Sequence, residues 1–209
     1  MTRTQYYTAT TLDGFLADEA NSLDWLFEVD TEPGEPFERF MAGVGVLAMG
    51  ATTYRWVLEH EKVVERPEEW RRWYGDRPCW VFTHRDDLPA VPGADIRFVQ
   101  GDVRPVHAEM VAAAREVSGG GHGYGENVWL LGGGELVGNF ADAGLLDDII
   151  LGVAPVTLGA GAPLLPRRLD GGRLRLTDVR QVGQFAYLTY EVGQPVAPPA
   201  GGGGGQPSA

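Results

Sequence analysis

The run Val128-Trp129-Leu130-Leu131-Gly132-Gly133-Gly134-Glu135-Leu136 sets the architecture. An apolar segment of strand length ends on three glycines, and Leu136, Val137, Phe140 and Ala141 then recur at helical spacing until Gly144, a C-terminal cap. At such a handover, bare amides approach a phosphate without a Cβ in the way, at the positive end of the helix dipole. Glycines there also suit a tight turn with close chain packing. The spacing Gly132-x-Gly134-x-x-Val137 lacks the last glycine of the Rossmann fingerprint, which argues against a standard dinucleotide domain.

Gly50-Ala51-Thr52-Thr53 repeats the arrangement. The apolar run from Val44 to Met49 suits a strand buried on both faces, and Thr52 or Thr53 is expected to cap a helix carrying Tyr54, Val57 and Leu58. Two such strand ends match the two phosphates of a dinucleotide. Thr83-His84-Arg85 closes a third strand with a cation able to grip a 2′-phosphate bidentately. Each site has a plainer alternative: helix capping at Thr52 and Thr53, a surface imidazole at His84, a solvated charge at Arg85.

Working outward, Gln5 to Thr10 reads as a strand that turns at Asp13-Gly14 into Phe15-Leu16-Ala17. Helices are expected from Phe37 towards Val44, from Pro67 to Tyr74, and from Pro105 to Ser118, with strands at Trp80–Thr83, Ile96–Val99, Asn127–Leu131 and Ile149–Val153. Glycines at 119, 120, 121, 123 and 125 form a loop around His122, for which no role is evident. Beyond Ile149–Val153 helical periodicity stops, and Arg173–Arg180 with Gln184–Val192 form an antiparallel hairpin about Val182-Gly183. Strand–helix alternation followed by strands alone predicts an α/β fold, a mostly parallel central sheet with a C-terminal antiparallel hairpin. Ligands of such sheets bind at the carboxyl ends of the strands. Residues 1–193 form the expected single domain, and 194–209, rich in Pro and Gly, a disordered tail.

Composition narrows the function. The 209 residues carry a net charge of −12, which argues against a nucleic-acid binder. Lys62 is the only lysine and lies outside any Gly-Lys-Ser/Thr, so a Walker loop is excluded. Ser22, Ser118 and Ser208 are the only serines and none sits in Gly-x-Ser-x-Gly. Cys79 is alone, and His60, His84, His107 and His122 have no metal-ligand spacing, so no metal is expected. The uncharged stretch from Ile149 to Pro166 is broken by Gly and Pro, and the start resembles no secretory signal, so the expected location is the cytoplasm, away from membranes.

Thr10-Thr11-Leu12-Asp13-Gly14-Phe15-Leu16-Ala17, Ser22-Leu23-Asp24-Trp25-Leu26, Met49-Gly50-Ala51-Thr52-Thr53-Tyr54, Thr83-His84-Arg85, the 129–136 motif and Pro155-Val156-Thr157-Leu158-Gly159 follow one another in order. Together they resemble the dihydrofolate reductase-like superfamily, and within it the branch holding the reductase domain of bacterial riboflavin biosynthesis. The resemblance implies an NADPH-dependent oxidoreductase, commonly a homodimer, that passes a hydride to a small heterocyclic molecule. It implies cofactor contacts at Gly50, Thr52, Thr53, Gly132, Gly133, Gly134, Glu135 and Leu136, nicotinamide contacts at Ala9, Leu16 and Ala17, and adenosine contacts at Thr83, His84 and Arg85. Asp13 and Trp25 then border the substrate, although on their own they read as a turn residue and a core aromatic. Three departures stand out: Ala51 replaces the family's arginine after the first glycine, Phe15 replaces the riboflavin branch's lysine, and for the acid that grips pteridines the sequence offers only Glu38 nearby, without a clear alignment. The implied substrate is 5-amino-6-(5-phosphoribosylamino)uracil, ahead of dihydrofolate; a non-catalytic nucleotide-binding protein on the same fold is the alternative.

Overall fold

A computed structural model describes residues 1–29, 35–121 and 123–194. In chain order its elements are β1 (Thr4–Thr11), β2 (Phe15–Ala17), α1 (Asp24–Phe27), α2 (Glu35–Gly43), β3 (Val44–Gly50), α3 (Ala51–His60), α4 (Pro67–Tyr74), β4 (Cys79–Phe82), β5 (Ile96–Val99), α5 (Val103–Gly119), β6 (Asn127–Gly132), α6 (Gly134–Asp142), β7 (Asp148–Ala154), β8 (Ala162–Pro163), β9 (Leu174–Val182) and β10 (Phe185–Val192). Eight strands form one sheet in the order β5-β4-β3-β6-β1-β7-β10-β9, and β2 pairs with β8 in a small second sheet. Strands β5 to β7 along that order run parallel, while β10 is antiparallel to both β7 and β9. The mostly parallel α/β sheet with its C-terminal hairpin is as expected.

Alternation along the central strands sends side chains to two cores. Tyr6, Val46, Ala48, Val128 and Leu130 pack under Val106, Met110 and Ala114 of α5 and Val137 and Phe140 of α6. Val44, Leu47, Met49, Val81 and Trp129 pack on the other face under Tyr54 and Val57 of α3 and Trp70 of α4. Burial on both faces is why β3 is apolar without interruption, each large side chain contributing roughly 1.5–3 kcal/mol on removal from water.

Several boundaries differ from the sequence expectation. Gly50 is the N-cap of α3 and no side chain caps its amides, so Thr52 and Thr53 lie inside the first turn. Asp102 caps α5 by accepting from the Arg104 amide at 3.0 Å, so Pro105 sits within the first turn rather than opening the helix. That position is tolerated because first-turn amides have no intrahelical acceptor. Neither the four-residue α1 nor the two-residue β8 was expected; both are too short to show periodicity. His122 and the tail from 195 lie outside the described residues, whereas Gln194 donates to the Gly144 carbonyl at 3.3 Å.

At the amino end of the sheet, Arg77 is buried and has no carboxylate partner among the described residues. Its guanidinium donates to the carbonyls of Val44 (2.9 Å), Tyr74 (3.1 Å) and Met41 (2.8 Å) and lies 3.8 Å from the centroid of the Tyr124 ring. Burial lowers its pKa. One side chain thus closes the ends of α2 and α4 against the start of β3. Replacing Arg77 with Met strands these carbonyls, and urea denaturation should show a loss of about 2–4 kcal/mol; a loss below ~0.5 kcal/mol, the range of an ordinary surface substitution, would contradict the bridging role.

His107 of α5 pairs with the Thr4 hydroxyl at 2.8 Å and meets the Phe140 ring edge-on, and burial holds its pKa below the ordinary value against the opposing pull of Asp147. The unfolded chain therefore takes up this proton near pH ~6.5, before the folded chain does, and stability falls as pH drops through that window. Thermal denaturation of His107→Gln should show a shallower decline between pH 7 and 5 than the parent chain.

Candidate active site

The chain leaves β3 through α3 towards β4 and leaves the adjacent β6 through α6 towards β7, in opposite directions along the sheet. A crevice opens at such a reversal, beyond the carboxyl ends of the strands. Here it is a cleft of about 410 Å³ whose walls include Gly50, Ala51, Thr52, Thr53, Gly132, Gly133, Gly134, Glu135 and Leu136. Both helices that start on it have a glycine N-cap, Gly50 for α3 and Gly133 for α6, so neither has a side-chain acceptor for its first-turn amides. Two sets of donors and two positive dipole ends therefore face one space, an arrangement that binds anions.

The three consecutive glycines do different things. Gly132 has φ +134°, which L side chains rarely adopt, and lies beside the Thr53 hydroxyl. A Cβ on Gly133 would meet nothing within 4 Å, so its place is open to a ligand. On Gly134 it would come within 2.6 Å of the Pro163 carbonyl and 2.7 Å of that of Leu164. Open space and chain packing, competing explanations in the sequence, are thus divided between neighbours.

The rest of the cleft is mostly apolar. Ala9, Leu16, Ala17 and Trp25 line it, joined by Thr8, Asn21, Leu23, Leu26, Trp56, Leu131, Ala162, Pro163 and Pro166. Trp25 is only 6% exposed, donates its indole N–H to the Leu16 carbonyl at 3.2 Å, and packs with Ala154 and Phe185. Trp56 stacks on the His60 ring at 4.4 Å between centroids, and His60 stacks in turn on Phe27 at 5.0 Å. Trp56 was legible in principle, since it lies four residues after Thr52 on one helix face. Ala162 and Pro163 carried no signal, because a two-residue strand has no period.

Four expected site residues do not line the cleft. The Asp13 carboxylate accepts from the Thr11 hydroxyl (2.6 Å) and the amides of Gly159 (2.7 Å) and Leu158 (3.0 Å), clamping the loop after β7 to the turn after β1. The same partners, led by the Thr11 hydroxyl, hold its pKa down. Thr83 is buried and its hydroxyl accepts from the Arg85 amide at 2.9 Å. His84 Nδ1 lies 3.3 Å from the Gln100 side-chain oxygen, and the exposed Arg85 has no ion-pair partner among the described residues. All three follow β4, whose Phe82 is in register with Gly50, so they sit one strand end away from the cleft. Glu135 does line it, but its carboxylate meets Arg167 at 3.0 Å.

The sequence of the RibD C-terminal domain family matches residues 4–187. The chain belongs to that family. The chain is 32% identical over 188 residues to the uncharacterized protein YwjB of Bacillus subtilis, covering 90% of this chain and 97% of that one. A putative riboflavin biosynthesis protein from Shewanella shares the fold at TM-score 0.69 and 24% identity, covering 92% of this chain and 100% of the other. Dihydrofolate reductase from Enterococcus faecalis, solved with NADP(H), matches at TM-score 0.55 and 16% identity over 91% of this chain and 96% of its own. For this member of the RibD C-terminal domain family, the glycine assignments are directly testable. Gly134→Ala should lower stability by about 1–3 kcal/mol through overpacking, while Gly133→Ala, whose φ of −82° suits any residue, should leave the thermal midpoint nearly unchanged.

Proposed function

We propose that this chain is an NADPH-dependent reductase of a small heterocyclic compound. The observation that carries the reading is the meeting of two uncapped helix starts, at Gly50 and Gly133, on one cleft at the strand-order reversal. The open position at Gly133 fits a close-lying phosphate, since a Cβ would occupy space that the fold leaves clear. The amides of Ala51 to Thr53 and of Gly134 to Leu136 would hold the pyrophosphate, with the Thr52 and Thr53 hydroxyls beside it. Arg85 would reach a 2′-phosphate from the neighbouring strand end, taking the role that the family's arginine would have at Ala51. A bound reduced nicotinamide would supply a hydride, two electrons with one proton, to an electrophilic C=N or C=O carbon, and water or an acid would supply the proton that the nitrogen or oxygen takes up. Ala9, Leu16 and Ala17 would press its ring towards the substrate, and their apolar surfaces keep bulk water from the reacting carbon. A homodimer in the cytoplasm, with residues 1–193 as one domain, completes the proposal.

The six tryptophans, two of them on the cleft, provide the readout. NADPH should quench their fluorescence saturably and NADH more weakly; absence of binding by either would overturn the reading. Arg85→Ala should weaken NADPH roughly tenfold, corresponding to ~1.4 kcal/mol, and leave NADH unaffected. An unchanged NADPH affinity would remove Arg85 from the site.

A further inference from the structure

All 17 lysines and arginines of the chain lie among the described residues, and none of them lines the cleft. The nearest in sequence to a lining residue on the β8 side, Arg167, directs its guanidinium to Glu135, Asp142 and Asn139. Away from the glycine-capped helix starts, the walls include Leu23, Trp25, Leu26 and Trp56, with the neutral Asn21 among them. A phosphate dianion placed there would give up its hydration and meet no counter-charge.

We infer that this half of the cleft takes an uncharged, planar, largely apolar ring compound, with Trp56 as its stacking surface, and gives a phosphorylated one no advantage. Trp56 suits that task because its ring is already held by the stack through His60 to Phe27, so little side-chain freedom is lost on binding. Trp25 is likewise held by its hydrogen bond to the Leu16 carbonyl. The inference rests on the glycine-capped half being the cofactor's, and it narrows the substrate class away from phosphoribosyl pyrimidines.

Isothermal titration of the full chain with quinoxaline, uridine and uridine 5′-monophosphate, each with and without saturating NADP⁺, tests it. Quinoxaline should bind in both conditions, and uridine 5′-monophosphate no more tightly than uridine once NADP⁺ fills the other half. Trp56→Ala should weaken quinoxaline at least fivefold, and Trp56→Phe should restore most of that loss. A tenfold preference for the monophosphate over uridine in the presence of NADP⁺, displacement of quinoxaline by NADP⁺, or an unchanged quinoxaline affinity in a folded Trp56→Ala would each overturn the inference. If Trp56→Ala fails to fold, the wild-type comparison of uridine with its monophosphate still decides. Failure of NADP⁺ to bind would instead sink the cofactor reading, and is seen separately in the NADP⁺ titration.

Discussion

Burial of β3 and β6 on both faces is the constraint on which the rest depends. Because helices must cover two faces, the chain has to leave these neighbouring strands in opposite directions, and that divergence opens the cleft between their ends. The pairing of Leu47 with Trp129 and Ala48 with Leu130 sets the two strands in register, so Gly50 and Gly132 arrive together. A ligand site made of backbone amides can be no more accurate than the strands that present it. Here the presenting strands are among the most deeply buried parts of the molecule.

The two ends of the sheet are accordingly built by different means. The amino end is closed by arginine side chains, Arg77 donating to three backbone carbonyls and Arg3 pairing with the Asp148 carboxylate. The carboxyl end keeps its amides uncapped, and glycine supplies the N-cap of both helices there. Closing groups at one end offset what the other leaves open, and folding stability need not come from the cleft itself.

Much of this was legible in the sequence, and for identifiable reasons. Long apolar runs, glycines at strand ends and the Pro67 and Gly144 boundaries report local physics, so the sheet and most helices followed from them. The strand ends at Gly50 and Gly132 could be placed on one cleft because a parallel sheet aligns them. Asp13 could not be separated from a ligand contact, since a carboxylate clamping the amides of Leu158 and Gly159 acts across 145 residues or more of chain that no local pattern reports. Trp56 falls inside the helix expected after Thr52 and Thr53 and is marked there only by its spacing, and the wall contributed by Ala162 and Pro163 depends wholly on tertiary pairing with Phe15 and Ala17.

Arg167 lies along α6 and spans it, meeting Glu135 in the first turn and Asp142 in the last. Asp142 is the unfavourable sign for a helix C-terminus, and Glu135 would repel an anion at the N-terminus. A single guanidinium masks both, and Gly138 has no side chain where this arginine crosses the helix. The local field at the start of α6 is thereby insulated from a protein whose overall charge is −12. An acidic surface and a cleft with two uncapped helix starts coexist because one cation acts as an electrostatic shield at their boundary.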